Sequence, residues 1–247
     1  MILTNKFNLP KAFELAVGND PYDKGSSDVT VTQLISPPRI RVLFEQHRDE
    51  VTEDVSDRLW ALLGTAVHKV LEQAGEGAGD AVEERLYTKM HDWTVGGKFD
   101  SLRAESGKLS DFKVTSVWTR VFGSRMKEWT EQLNLLAHLC RVNGRGPISE
   151  LSIVAFYRDW QESKAGDNKY PPSAVEEIPV ECWTPDEAAF LMDVLVRKHQ
   201  DAEKNLPLCM DEDRWFDHRS GKFRRCERYC PVAPWCEQFR EEPSRDK

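Results

Sequence analysis

Apolar residues recur along this chain with two different periods. Helical spacing predicts helices over residues 39–47, 57–72, 126–140 and 185–205. Alternation with a period of two, or a short apolar run, predicts strands over residues 83–90, 93–102, 109–114, 148–158 and 175–183. This order of helices and strands favours an α/β fold in which helices cover the faces of one mixed central sheet.

Three of the predicted helices carry local signals. Thr184, Pro185 and Glu187 form a capping box with proline at the first helical position, which indicates where the last long helix begins. The helix over residues 57–72 is expected to present one apolar face, formed by Trp60, Leu63, Val67, Val70 and Leu71. In the helix over residues 126–140, the residues in helical register are Trp129, Leu133, Leu136 and Leu139.

The composition changes twice along the chain. Residues 1–28 mix Gly, Pro, Asp and Ser without clear periodicity, which predicts an N-terminal arm. Residues 29–206 hold the predicted helices and strands and are interpreted as the core domain. Residues 207–247 hold four of the six cysteines and are interpreted as a small C-terminal cysteine-rich module.

The overall composition is that of a globular protein. The chain has 247 residues, of which 40% are hydrophobic and 31% charged, so it can bury a sizeable core. No apolar run approaches the length of a transmembrane helix, and Lys6, Lys11 and Glu14 interrupt any resemblance to a signal peptide. We therefore expect a cytoplasmic protein with no membrane partner.

The net charge limits how this chain can bind nucleic acid. A charge of −8 excludes binding through a globally basic surface, so any phosphate contacts must be local. Two basic clusters could supply them and would give salt-sensitive binding. Arg120 and Arg125 belong to the first, and Arg224 and Arg225 to the second. The alternative is that these arginines are ordinary solvated surface charges.

The first candidate site is a hairpin. Ser106 and Gly107 fall between two predicted strands, so a turn here brings Asp100 level with Asp111. Asp111 and Lys113 are two residues apart and therefore project from one face of their strand. Two carboxylates beside an ammonium suit Mg²⁺ or Mn²⁺, with coordination positions left open for a phosphate. The alternative is a solvated acidic hairpin, because Asp-x-Lys is common on exposed strands.

An upstream histidine could join this site. His68 lies on a different stripe of its helix from the apolar residues, and Gly64 one turn earlier leaves room beside the imidazole. The ring could then approach a metal or a phosphate, and the alternative is a histidine on the helix surface. Glu84 is a candidate for a further metal-facing carboxylate, against the alternative of a plain surface glutamate.

The clustered cysteines predict a second metal centre. In a cytosolic protein, four thiolates close in sequence favour metal ligation over disulfides. Four soft ligands suit zinc or an iron–sulfur cluster. The four are Cys209, Cys226, Cys230 and Cys236. The alternative is reduced structural cysteine, and Cys140 and Cys182 are assigned to the core.

The order of these motifs resembles the PD-(D/E)XK nuclease superfamily, and most closely its RecB-like branch, which includes phage exonucleases and CRISPR-adaptation nucleases. The resemblance covers about residues 30–240 and implies a restriction-endonuclease-like fold. One departure is that the family usually has tyrosine where this chain has Leu136. Four segments carry the resemblance: Gly64-x-x-x-His68, Gly97-x-x-Asp100, Asp111-x-Lys113 and Gln132-Leu133-x-x-Leu136.

The resemblance implies a role for each motif residue. The metal would be held by His68, Asp100, Asp111 and the backbone carbonyl of Phe112. The side chain of Lys113 would activate or orient the attacking water, and that of Gln132 would steady the site.

The resemblance also bears on the cysteines. Many RecB-like nucleases carry a [4Fe–4S] cluster with three C-terminal ligands and one ligand before the glycine–histidine helix. Residues 36–39, the comparable stretch here, contain no cysteine, so Cys209 is taken as the replacement. The gap between Cys226 and Cys230 is one residue longer than the family pattern. The resemblance favours the cluster, and zinc is the alternative.

These observations predict a metal-dependent deoxyribonuclease, an exonuclease of DNA recombination, repair or phage DNA processing. DNA is then the principal partner, and a recombinase, a helicase or a single-strand-binding protein is the expected class of protein partner. One alternative is a non-catalytic DNA-binding partner of a helicase or recombinase. The other is a structure-specific endonuclease, which only the products of cleavage would distinguish.

Overall fold

The computed structural model describes residues 1–18, 24–167 and 169–241. Its helices, in chain order, are α1 (Lys11–Gly18), α2 (Val31–Leu34), α3 (Pro38–Gln46), α4 (Leu59–Ala78), α5 (Val117–Phe122), α6 (Met126–Val142), α7 (Pro185–Asp201), α8 (Asp211–Arg214), α9 (Arg224–Arg228) and α10 (Glu237–Arg240). Its strands are β1 (Ile2–Thr4), β2 (Val29–Thr30), β3 (Thr52–Asp54), β4 (Ala81–Val82), β5 (Arg85–Met90), β6 (Trp93–Lys98), β7 (Ser101–Arg103), β8 (Lys108–Thr115), β9 (Glu150–Tyr157), β10 (Val175–Val180), β11 (Phe216–Asp217) and β12 (Lys222–Phe223).

Two sheets organise the molecule. The larger has five strands in the order β10-β9-β8-β7-β4, and the smaller has three in the order β2-β6-β5. In the larger sheet β8 and β9 run parallel, while the other neighbours run antiparallel. Parallel neighbours need a crossover connection, which α5 and α6 provide. The expected mixed α/β architecture is confirmed, but the strands form these two sheets in place of the one central sheet predicted.

The core is built around α6. From Leu133 to Cys140 every residue of this helix is buried, because it packs against β5, β6, β8 and β9 and also against α7. Asn134, which is fully buried, accepts from the backbone N–H of Trp183 at 2.8 Å and donates to the Glu181 carbonyl at 2.9 Å. These bonds fix α6 to the segment that leads into α7. The predicted capping box is present there, since Thr184 accepts from the Glu187 N–H.

The N-terminal residues differ from the predicted arm. Over residues 1–18, β1 pairs in parallel with β3, and α1 contacts α4. Asp54 reinforces this pairing by accepting from the Thr4 hydroxyl and from the Lys6 N–H, each at 2.8 Å. An arm was predicted because this short segment has no hydrophobic periodicity, and contacts with residues about 50 positions away produce none. The remainder of the predicted arm includes residues 19–23, which lie outside the described residues.

The apolar residues of α4 remain largely exposed. None of its residues is buried, and Trp60, Leu63 and Val70 are 45%, 40% and 65% exposed. Another stripe, which includes Gly64 and His68, faces the interior cleft instead. None of the described helices, α4 included, combines the length and apolar character that a membrane crossing requires.

The C-terminal segment packs on α3 and forms a second, smaller apolar cluster with it. Leu43 of α3 is buried there with Val232 and Cys236. Arg39, also buried, donates from Nη1 to the Pro207 carbonyl at 3.2 Å. Residues 207–241 therefore lie against an element from the first fifth of the chain.

Gly97 gives a test of the packing between β6 and α6. A Cβ at this position would lie 2.6 Å from Leu136 Cδ2 and 2.7 Å from Leu139 Cδ1. We expect Gly97→Ala to lower the free energy of unfolding by about 1–3 kcal/mol through overpacking. The matched control is Gly77→Ala in α4, where a Cβ meets nothing within 4 Å. This variant should be more stable by roughly 0.5–1 kcal/mol, because alanine is the better helix former. Chemical denaturation measures both, and equal effects would contradict the packing described.

Candidate metal and catalytic site

A cleft of about 610 Å³ opens between α4, α6 and the hairpin β7–β8. It brings together the motif residues predicted from the sequence, together with one carboxylate that the prediction missed. The side chains that matter for its chemistry are His68, Glu83, Asp100, Asp111, Lys113 and Gln132. Leu136, at the position where the family that the sequence resembles usually has tyrosine, also lines the cleft.

The hairpin places two carboxylates side by side. Ser101 pairs with Ser110, and this register sets Asp100 opposite Asp111 as expected from the turn. The side chain of Asp100 accepts from the Phe112 N–H at 2.6 Å, which fixes one oxygen of the carboxylate. Both aspartates are buried, with 7% and 3% of their surface exposed. Charged groups this deeply buried require compensating partners.

Lys113 is one such partner for Asp111. Its Nζ lies 2.5 Å from Asp111 Oδ2, yet this buried oxygen has no aligned hydrogen bond among the described residues. Burial raises the pKa of Asp111 to about 6, although the Lys113 ammonium opposes the rise and the Asp100 charge adds to it. Burial thus makes the charged form of Asp111 less favourable than that of an exposed aspartate, and a bound cation would offset this cost.

His68 is the second compensating cation. Its Nδ1 lies 3.4 Å from both Glu83 Oε1 and Asp100 Oδ1, and its Nε2–H donates to the Phe112 carbonyl at 3.0 Å. Burial disfavours the imidazolium, but hydrogen bonds to Asp100 and Glu83 and nearby carboxylate charge raise the pKa of His68 to about 10. A protonated ring thus bridges the carboxylates and the carbonyl that the family resemblance assigns to the metal. Gly64 leaves this part of the cleft open, since a Cβ there would meet nothing within 4 Å.

Glu83 is the site residue that sequence reasoning missed. Its backbone has a positive φ of 50°, and it lies in the short break between β4 and β5. Its side chain lines the cleft. There it forms an ion pair with Lys98. Glu84, the candidate for a further metal-facing carboxylate, instead pairs with Arg145, in line with the alternative of a surface glutamate. Two adjacent glutamates before a strand were the available signal, but period-two alternation could not tell which one faces inward.

The donor set fits a hard divalent cation. Among the described residues, only His68, Glu83 and Asp100 bring three ligand atoms within 4.8 Å of one another. Asp111 lines the same cleft and offers a further oxygen that lacks an aligned hydrogen bond. Carboxylate oxygens with one imidazole suit magnesium or manganese. Relative to the expected ligands, the structure adds Glu83.

Two of the four arginines predicted to bind DNA are engaged by carboxylates. Arg120 makes a bidentate ion pair with Glu176, with Nε–Oε2 3.0 Å and Nη2–Oε1 3.1 Å. Arg125 donates to Glu128 Oε1 at 2.5 Å. The two glutamates neutralise the positive charge of these arginines. That charge was predicted to contact DNA phosphates, and a guanidinium that pairs with a carboxylate binds a phosphate less strongly. The DNA-binding role of both residues stays a prediction.

The two C-terminal arginines have different environments. Arg224 is exposed, whereas Arg225 is half-buried and donates to the Asp213 carbonyl at 3.1 Å. The guanidinium of Arg225 also lies 5.2 Å from the ring centroid of Trp215. Arg224 therefore remains the better placed of the two for a phosphate, and its role too stays a prediction.

The four C-terminal cysteines line one small pocket at the contact with α3. Two buried arginines point at their sulfurs: Arg39 Nε lies 3.3 Å from Cys236 Sγ, and Arg214 Nε lies 3.5 Å from Cys226 Sγ. Burial, with neighbouring Cys236, raises the pKa of Cys209 to about 12, so this thiol is neutral without a metal. Clustered sulfurs next to guanidinium groups suit a thiolate-bound metal centre, because the arginines offset the thiolate charge.

Comparisons with known proteins establish the fold alone. No protein-family model matches the chain, and no curated protein matches it. A solved structure described as the crystal structure of SSO0001 does match, with a TM-score of 0.60 and 14% sequence identity. The match covers 91% of this chain and 94% of that one, so nearly the whole architecture is shared.

The pKa of Asp111 predicts an unusual pH dependence in metal-free protein. The folded-state pKa of about 6 exceeds the unfolded value near 3.8, so the stability associated with Asp111 is greatest below about pH 4 and is lost as the pH rises through 6. Asp111→Asn should therefore increase the free energy of unfolding by about 1–3 kcal/mol above pH 6 and change it little below pH 4. Denaturation in chelator measures this, and destabilisation at every pH would contradict it.

From the cysteine pocket we predict that the purified protein contains one metal centre per chain. Cys209→Ser should lose the bound metal and destabilise residues 207–241, because thiolate coordination contributes folding free energy. Cys182→Ser is the control, since Cys182 lies outside the pocket and contacts Arg141 instead. Metal analysis and visible absorption of anaerobically purified protein make the measurement. Finding neither iron nor zinc in the unmodified protein would reject the centre.

Proposed function

We propose that this chain is a divalent-cation-dependent deoxyribonuclease of the PD-(D/E)XK superfamily, acting as an exonuclease. The observation that carries the proposal is the convergence of His68, Glu83, Asp100, Asp111 and Lys113 in one cleft. The fold shared with the SSO0001 structure supports the architecture of this proposal, and the activity is argued from the cleft.

The donor set supports a catalytic role over a purely binding one. A non-catalytic descendant has no use for two buried aspartates, one of which keeps an oxygen without an aligned hydrogen bond. Buried carboxylates of this kind lower stability unless a cation binds them. Their retention therefore fits a site that binds Mg²⁺ or Mn²⁺ during its reaction.

Each protein group has a distinct part in phosphodiester hydrolysis. A divalent cation bound here would lower the pKa of a water molecule and polarise the phosphate. Glu83, Asp100, Asp111 and the neutral imidazole of His68 would hold that cation, together with the Phe112 carbonyl, so His68 would lose its proton when the cation binds. The Lys113 ammonium, adjacent to Asp111, would orient the attacking water and stabilise negative charge that develops on phosphorus oxygens. Gln132 borders the same space from α6 and would steady the bound groups.

The cysteine pocket would act structurally in this proposal. We assign it a [4Fe–4S] cluster, with zinc as the alternative. All four sulfurs line one pocket, and the family resemblance favours the cluster as its occupant. It would hold the C-terminal segment on α3 and take no part in cleavage.

End-labelled DNA tests the function directly. The unmodified protein should shorten single- or double-stranded DNA progressively from an end when Mg²⁺ or Mn²⁺ is present, and chelator should stop it. Internal cuts without an end requirement would instead indicate an endonuclease using the same site. No cleavage of any DNA with either metal, by protein that contains its C-terminal metal, would overturn the proposal.

Neighbouring glutamates supply a matched pair of variants. Glu83→Gln should reduce the cleavage rate by about 100-fold or more, because it removes a ligand-forming charge from the cleft. Glu84→Gln should cleave normally, since Glu84 pairs with Arg145 outside the cleft.

Lys113→Met should keep Mn²⁺ binding, measured by calorimetry, while slowing cleavage. A normal rate in Glu83→Gln, or equal losses in both glutamine variants, would refute the ligand assignment.

A further inference from the structure

Three exposed aromatic rings lie beyond the end of β8, outside the cleft described above. Trp60, Trp118 and Phe122 are 45%, 45% and 74% exposed. Rings of this size usually contribute to a core or to an interface, because they carry much of the apolar surface that burial removes from water. An exposed group of them marks a surface that binds something.

Hydrogen bonds join the segment after β9, which carries Arg158, to the start of α5, which carries two of these rings. The N–H of Arg158 donates to the carbonyl of Thr115, the last residue of β8, at 3.0 Å. The next residue, Asp159, caps α5 by accepting from Ser116 Oγ and from the Val117 N–H, each at 2.7 Å. The segment after β9 is thus fixed to the start of α5. Arg158 and the rings of α5 consequently belong to one surface.

Two of the three rings on this surface have a positively charged side chain over one face. The guanidinium of Arg158 lies 4.3 Å from the ring centroid of Trp60, and Lys164 Nζ lies 5.7 Å from that of Trp118. The rings of Trp118 and Phe122 are 5.8 Å apart and nearly parallel, at 23°. Aromatic faces that stack on bases, combined with cations that neutralise phosphates, are the recognition chemistry of single-stranded nucleic acid.

The local charge fits an anionic strand although the whole chain carries −8. The nearby carboxylate of Asp159 is occupied by the hydrogen bonds that cap α5. Glu176 is likewise held by Arg120 and by the Tyr157 hydroxyl at 2.6 Å. Neither of these carboxylates therefore competes with a phosphate for the cations over the rings.

The surface leads directly into the cleft. Trp60 lies one turn before Gly64 on α4, and Gly64 lies one turn before His68, so the helix surface runs from the exposed ring to the cleft. Eight residues of helix separate Trp60 from His68, a distance of about 12 Å. That is the length of roughly three stacked nucleotides. Gly64 adds no side chain between them, so the path along α4 is open.

We propose that Trp60, Trp118, Phe122, Arg158 and Lys164 form an aromatic platform that stacks the unpaired bases of a single strand entering the cleft. The inference rests on the proposed nuclease function and specifies its substrate as single-stranded. Bases in a duplex are already stacked on one another and cannot offer their faces to these rings. The platform therefore selects unpaired strands and positions them about three nucleotides from the reacting phosphate.

Binding measured without cleavage tests the platform. Asp111→Asn protein in chelator is titrated into fluorescein-labelled oligothymidylate, oligouridylate and a blunt DNA duplex of the same length, with anisotropy as the signal. Phe122→Ala and Trp118→Ala, added to this background, should each weaken single-strand binding roughly fivefold or more and leave duplex binding unchanged. Trp118→Phe should retain most of the affinity, because it keeps a stacking face. Equal losses for both single strands support the proposal, since stacking does not depend on the sugar.

Phe190→Ala is the matched control, because Phe190 is 71% exposed on α7 and does not line the cleft. It should bind all three probes normally. The platform is overturned if Phe122→Ala changes nothing, if it weakens duplex binding equally, or if Phe190→Ala gives the same loss. It is also overturned if sedimentation shows that Phe122→Ala dissociates a dimer, since the rings would then join two copies of the chain.

The same variants separate this inference from the proposed function. Phe122→Ala and the unmodified chain are compared for cleavage of single-stranded DNA with Mg²⁺. Cleavage that does not depend on the rings would overturn the platform and leave the nuclease intact. Ring-dependent binding by a chain that never cleaves DNA would support the platform as a binding site and overturn the nuclease.

Discussion

Two aspartates buried side by side are the constraint on which the cleft depends. The register of one hairpin holds Asp100 opposite Asp111, and both side chains are almost removed from water. Desolvating an ionised carboxylate costs several kcal/mol unless partners replace the lost hydration. His68 on α4 and Lys113 on β8 are the charged partners. The position of α4 across the sheet is therefore an electrostatic requirement as well as a packing arrangement.

This requirement also explains the unusual burial of α4. The helix directs Gly64 and His68 toward the cleft, where space and charge are needed. Its apolar residues Trp60 and Leu63 are consequently left half-exposed at the surface. Amphipathic helices in globular proteins normally bury the apolar stripe. In α4 no stripe is fully buried, and the residues that border the cleft are Gly64 and His68.

Local features of this structure were predictable from the sequence. The hairpin follows from strand alternation on both sides of Ser106 and Gly107, and the start of α7 follows from its capping box. The buried register of α6 follows from helical spacing, with Trp129 and Leu133 both buried as expected. Each of these depends on residues within about one or two turns of one another, so the information lies in a short window.

Features set by distant partners were not predictable. The inward rotation of Glu83 depends on a positive φ at an irregular edge, which alternation cannot encode. Pairing of β1 with β3 depends on residues about 50 positions apart, and Arg120 finds Glu176 at a separation of 56. Charge, likewise, could be counted from the sequence, but which arginines are neutralised depends on the tertiary structure.

The contact between α3 and the C-terminal segment affects how the chain folds during synthesis. Arg39 reaches Cys236, its partner 197 residues later in the chain. At translation rates of about 5–20 residues per second, α3 is made roughly 10 to 40 s before that partner exists. Throughout this interval Leu43 lacks its eventual apolar neighbours, and the nascent protein exposes a surface that the finished one covers. This contact therefore cannot form until the ribosome has completed most of the chain.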